Sequence, residues 1–236
     1  MFTQDYYTKS ADIFTFSKQQ GSDFAKGIAR DFNPLHDTNN SRFCIPGDLL
    51  FSVMLSRFGV SQQMTFDFQG MVAGGMPITF QETASRIIAE NDKPKTVLEL
   101  KRSGDTTNNA KFIEGLIRSY VAFSGKTFPH IINQLMQDEG AMINTRKPMV
   151  IYDQMSLFFR TFSESAPDVE LQDCKFEVNG KRGLITMNFD LRANQKSIGS
   201  GEKKIIMGGL RPYQQSDIDY LVDTYNSART TFSNNS

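Results

Sequence analysis

Apolar residues recur along the chain with two periods. Phe24 and Ile28 lie four apart with Gly21 and Ala25 on the same side, while Gln19, Asp23 and Lys26 turn away, so the spacing predicts a helix over 18–29. Ser17 and Gln20 form a capping-box pattern at its start. Pro34 disfavours helical geometry at Asn33, which makes 31–36 a loop. Beyond Pro46, Leu49, Leu50, Phe51, Val53, Met54, Leu55 and Phe58 cover most of a helical circumference before Gly59, predicting a helix buried on nearly all sides and closed by a glycine. Strands are then predicted around Phe66 and Phe68, around Ile78 and Phe80, over 96–102 and over 113–123, with 103–109 as a loop between the last two.

The plan repeats in weaker form. Ile151, Met155, Phe158, Phe159 and Phe162 fit helical spacing, and strands flank Asn179-Gly180, with Ile185, Met187, Phe189 and Leu191 alternating on the return. A last strand includes Lys204 to Met207, and Ile218, Leu221, Val222 and Tyr225 form the stripe of a closing helix capped by Ser216. Gly74-Gly75 and Gly208-Gly209 lack a following strand-turn-helix phosphate fingerprint and read as bends or bulges in strands. An apolar helix followed by antiparallel strands, twice over, gives an α+β fold in which a sheet wraps a helix. Polar residues over 137–147 divide the chain into units 1–140 and 141–236.

Composition narrows the classes. The 26 basic and 26 acidic side chains cancel, which offers no electrostatic case for nucleic acid or an anionic membrane. With 39% hydrophobic residues and 20 Phe, the chain is globular rather than disordered. The longest apolar stretch, near 49–55, falls far short of the roughly 20 residues a membrane helix needs. Met1 to Tyr7 has neither a basic start nor an apolar block, so the expected location is cytoplasmic. Cys44 and Cys174 are too few for a disulfide framework or a metal site and read as buried thiols, and His130 reads as a surface or boundary residue.

The candidate chemistry sits in Asp31-Phe-Asn-Pro-Leu-His36. Imidazole titrates near neutrality, and a carboxylate can orient it or share a water with it. Fully extended, the five steps would separate the two groups by roughly 17 Å, so they meet only if Asn33-Pro34 turns the loop back. Pro46-Gly47 opens the apolar helix, whose free amides suit a developing oxyanion, and Gly47 admits a close carbonyl.

At these residues the chain resembles the MaoC-like, (R)-specific enoyl-CoA hydratases, which have the hotdog fold. The motif matches without a break from Asp31 to His36, and helix, loop, buried helix and strands keep the family's order from about Ile13 to Phe128. The resemblance implies that Asp31 and His36 are the catalytic pair, that Asn33 organises the loop for substrate binding, and that the Gly47 amide holds the thioester oxygen. It implies hydration or dehydration of a 2-enoyl or 3-hydroxyacyl thioester with coenzyme A as carrier and no further cofactor. The same fold implies two alternatives, an acyl-CoA thioesterase and a non-catalytic acyl-thioester or protein-binding module. Arg30 stands where the family has Gly, Pro46 where it has His, and the stretch from His36 to Gly47 is short. Because the motif occurs once, the resemblance implies a double hotdog with one equipped and one degenerate half, the covalent tandem replacing the usual dimer and leaving a homodimer of tandems as the assembly to test. The whole chain, through Phe-Ser-Lys-Gln-Gln-Gly and Pro-Gly-Asp-Leu-Leu-Phe, is also similar to an uncharacterised bacterial family known as a domain of unknown function.

Overall fold

The computed structural model describes residues 1–145 and 147–234, apart from the side chains of Pro129 and His130; the expectation for His130 therefore lies outside the described residues. After a short N-terminal turn come β1 (Thr8–Ser10) and β2 (Ile13–Thr15), then α1 (Lys18–Asp23), which runs on as a π turn over Phe24–Ala29. The capping box closes as the sequence predicts, with Ser17 Oγ accepting from Gln20 N and Gln20 Oε1 accepting from Ser17 N. The buried helix is α2 (Gly47–Phe58), ended by Gly59 at φ +79°. Leu49 to Leu55 are all buried, so α2 is a central rod rather than a surface helix.

Strands β3 (Val60–Phe68), β4 (Ile78–Glu82), β5 (Arg86–Asn91) and β6 (Thr96–Thr107) follow, then α3 (Ala110–Gly125) and α4 (Ile132–Asp138). The remaining elements are β7 (Ala141–Met142), β8 (Met149–Phe159), β9 (Asp168–Asn179), β10 (Arg182–Ala193), β11 (Lys196–Gly208), β12 (Arg211–Pro212) and α5 (Gln215–Asn234). Ten strands form one antiparallel sheet in the order β1-β2-β4-β5-β6-β3-β8-β11-β10-β9, and β12 pairs with β7. One continuous core joins α2 and α3 to the inner face of this sheet, through Leu50, Met54, Leu116 and Tyr120 against Phe66, Leu100, Met155 and Phe189. A second core packs α4 and α5 on the β9–β11 end through Met136, Ile185, Met207 and Ile218. The chain is thus an α+β tandem hotdog, with two central helices under one shared sheet and β3 hydrogen-bonded to β8 where the halves meet.

Several sequence expectations change. Residues 113–123 are helical, because Phe112, Ile113, Leu116, Ile117, Tyr120 and Val121 line one helical face, capped by Asn109 Oδ1 accepting from Phe112 N. The segment 103–109 is mostly strand, since β6 stays paired with β3 as far as Val60↔Thr107. The segment around Ile151 to Phe159 is strand β8: Met155, Leu157 and Phe159 point inward, while Ile151 and Phe158 are exposed apolar residues that imitate a helical stripe. Ser216 lies inside α5 rather than at its cap, Gly74-Gly75 form a turn between strands, and both cysteines are free and half-buried. Among the described residues no helix is long and apolar enough to cross a membrane.

Candidate functional site

The π turn ends at Arg30 in the left-handed region, φ +57°, an unusual place for a residue with a β-carbon, and this swings the chain into the motif loop. Asp31 N–H donates to Ala25 O at 2.8 Å, fastening the loop to the helix end. Asp31 Oδ1 then accepts from Asn33 N at 2.9 Å, and Asn33 Oδ1 from Leu35 N at 3.1 Å, so two successive side-chain turns fold the loop back. Pro34 opens a 3₁₀ turn that delivers His36. Asn33 serves as the loop organiser that the sequence suggests.

Folding back brings the two groups to 3.7 Å, His36 Nε2 to Asp31 Oδ2. That is too long for a direct hydrogen bond and suits two groups that grip one water between them. His36 Nδ1 donates to Cys44 O at 2.9 Å, which turns Nε2 toward Asp31. Burial alone would favour the neutral ring, but the adjoining Cys44 and the Asp31 carboxylate outweigh it and raise the His36 pKa to about 9.

Gly47 is the first residue of α2, where helix geometry leaves its amide without an intrahelical acceptor. A β-carbon at Gly47 would stand 3.0 Å from Phe68 and 3.3 Å from Tyr152, whose rings stack at 4.1 Å, so the position also needs glycine for packing.

The sequence reasoning missed a buried polar group beside this helix end. Asp48 follows Gly47; its Oδ1 is enclosed without a hydrogen-bond partner among the described residues, and burial pushes its pKa up against the pull of Lys203 and Ser124. Lys203 is buried on β11, Nζ donating to Ser124 Oγ at 2.5 Å and lying 4.3 Å from the Tyr152 ring centre. Burial lowers its pKa, with Asp48 and Asp31 acting the other way. The Tyr120 and Tyr152 hydroxyls meet in the same region, and burial raises both. One signal was available: Lys203 shares the inward parity of Ile205 and Met207. The sequence did not reveal its register, in which Phe66, Met155, Lys203 and Met187 form one row across β3, β8, β11 and β10. Among the described residues no cluster of three or more metal-ligating side chains is found.

Asp31, His36 and the α2 amino end thus meet Ser124 of α3 and Lys203 of β11 around Asp48. A family model described as "Protein of unknown function (DUF3581)" matches residues 1–216. The chain belongs to this family. No curated protein matches it by sequence. Among solved structures, a conserved protein of unknown function with hot dog fold from Alicyclobacillus acidocaldarius is similar at 9% identity and TM-score 0.47, over 90% of this chain and 99% of that one. A tesB protein from Mycobacterium avium subspecies paratuberculosis is similar at 8% identity and TM-score 0.47, over 87% and 97%. A MaoC-like dehydratase is similar at 8% identity and TM-score 0.45, over 85% and 97%.

Proposed function

We propose that this member of the family hydrates a trans-2-enoyl thioester, or dehydrates the 3-hydroxyacyl form, with coenzyme A as carrier. The observation that carries the reading is the Asp31–His36 pair, folded to 3.7 Å in an unbroken hydratase-like motif beside the amino end of α2. His36, with its raised pKa, enters as imidazolium and Asp31 as carboxylate. In the hydration direction Asp31 takes a proton from the shared water as its oxygen bonds to C3. The C2–C3 π electrons pass to the thioester oxygen, held by the Gly47 amide. His36 then protonates C2 as the enolate collapses, and the proton on Asp31 returns to His36. Proton transfer of this kind contributes roughly 10² to 10⁴ in rate, and one oxyanion donor roughly 10² to 10³ in kcat. A cytoplasmic location and an acyl thioester as the small-molecule partner belong to the same proposal.

A thioesterase reading has one observation in its favour, the Ser124–Lys203 contact beside Asp48, which offers a hydroxyl against an amine of lowered pKa. Incubation with crotonyl-CoA and longer trans-2-enoyl-CoAs separates the readings. Loss of the conjugated enoyl-thioester absorbance without free thiol supports hydration; release of free thiol in step with that loss moves the function to hydrolysis. Neither signal, with acyl-CoA still bound, leaves a binding module.

A further inference from the structure

Next to the motif loop lies a cleft of about 430 Å³ lined by Arg30, Lys126, Phe128, Tyr225 and Arg229 among others. Its three cations come from three separate elements, the end of the π turn, the end of α3 and the C-terminal part of α5. Among the described residues none of the three forms a salt bridge, and no carboxylate lines the cleft. The chain is neutral as a whole, so three unpaired cations converging on one concavity do not follow from general basicity. Two helical segments end here and would turn negative carbonyl ends on an anion. Tyr225 caps one of these carbonyls: its hydroxyl donates to Arg30 O at 3.0 Å and lies 3.3 Å from Gly125 O. Arg30, immediately before Asp31, is in the left-handed conformation, its N–H donating to Ala25 O.

We propose that this cleft is the subsite for the phosphate groups of the thioester carrier, with Arg30, Lys126 and Arg229 as its anion-binding residues. The assignment rests on the acyl-thioester reading above and names where the carrier lies. Arginine forks pair bidentately with phosphate oxygens. From Tyr225 to Ser233 the cleft follows α5 for about 12 Å at 1.5 Å per residue, so an extended arm can run from the catalytic loop to the Arg229 end. The family model ends at residue 216, in the first turn of α5, so Arg229 lies outside the matched region.

The test is titration of the full-length protein and an Arg30→Gly/Arg229→Ala variant with coenzyme A, pantetheine and inorganic phosphate. Glycine suits the φ of Arg30, so the variant keeps the loop. Each lost charge-assisted pair should weaken coenzyme A by roughly tenfold or more, so the preference for coenzyme A over pantetheine should collapse in the variant by roughly 10²-fold. An unchanged preference overturns the subsite, as does wild-type protein that holds coenzyme A no more tightly than inorganic phosphate. Arginine-dependent coenzyme A binding in a protein that turns over no enoyl or acyl thioester upholds the subsite and defeats the catalytic reading; turnover with an unchanged preference does the reverse.

Discussion

His36 is held through both ring nitrogens, one giving its proton to the Cys44 carbonyl and the other facing Asp31, and that double hold fixes the sign of its pH dependence. Its folded pKa, about 9, lies above the ordinary 6.5. The ring therefore stabilises the fold in full below about pH 6.5, and that contribution is lost as pH rises through about 9. The urea midpoint of the wild type should fall across that window relative to its value at pH 6, and His36→Asn should flatten the decline; parallel curves would show that the ring is not protonated in the fold. As the proton donor to C2, His36 should also give kcat an alkaline limb near the same pH, absent from the residual activity of His36→Asn. Arg30 supplies the opposite lesson, since its left-handed backbone is strained by its own β-carbon. Arg30→Gly should raise stability by about 0.5–1 kcal/mol in denaturant unfolding; a loss would mean that its side-chain contacts outweigh the strain.

At the scale of elements, the carboxyl end of α3 sets the motif loop in place. A β-carbon at Gly125 would run into the Ala29 carbonyl at the end of the π turn. Gly125→Ala should cost about 1–3 kcal/mol and depress turnover by displacing Asp31, whereas an unchanged melting curve would show that the contact is soft. Elements fixed by local signals were legible in the sequence: the Ser17–Gln20 box, the Gly59 cap and the Ile185-to-Leu191 alternation appear as predicted, and the turn expected at Asn179-Gly180 forms one residue later, at Gly180-Lys181. α3 and β8 were not, because their types depend on partners. Tyr120 and Val121 are buried by α2 and the sheet, which rewards a helical face over their β propensity, and Phe158 is apolar yet faces outward. The approach of Asp31 to His36 was legible because both lie in one six-residue stretch with Asn33-Pro34 between them. Asp48, Ser124 and Lys203 were not, since only the tertiary fold brings them together. The expected division at 140 falls between α4 and β7, and α3, which precedes it, packs on the π turn and α2 as well as on β9.

In the whole molecule the two halves share a sheet and a buried charge relation. Asp48 lies on α2, Ser124 on α3 and Lys203 on β11, so this group joins the two central helices to the sheet. Asp48 Oδ1 and Lys203 are both enclosed, and each residue opposes the shift that burial imposes on the other. Lys203→Met removes the Ser124 contact and the charge that opposes the rise of the Asp48 pKa, so it should destabilise the fold, and adding Asp48→Asn should restore part of the loss; additive losses in denaturant unfolding would show that the two side chains act independently. If catalysis relies on the first half alone, that double variant keeps its enoyl hydration. The most direct test of the central claim is kcat/KM for crotonyl-CoA hydration in the wild type against Asp31→Asn. Asparagine keeps the Oδ1 acceptor for Asn33 N–H, so the loop should survive with an unchanged melting curve while hydration falls by roughly 10² to 10⁴. A folded Asp31→Asn protein that hydrates the thioester as fast as the wild type would contradict the account.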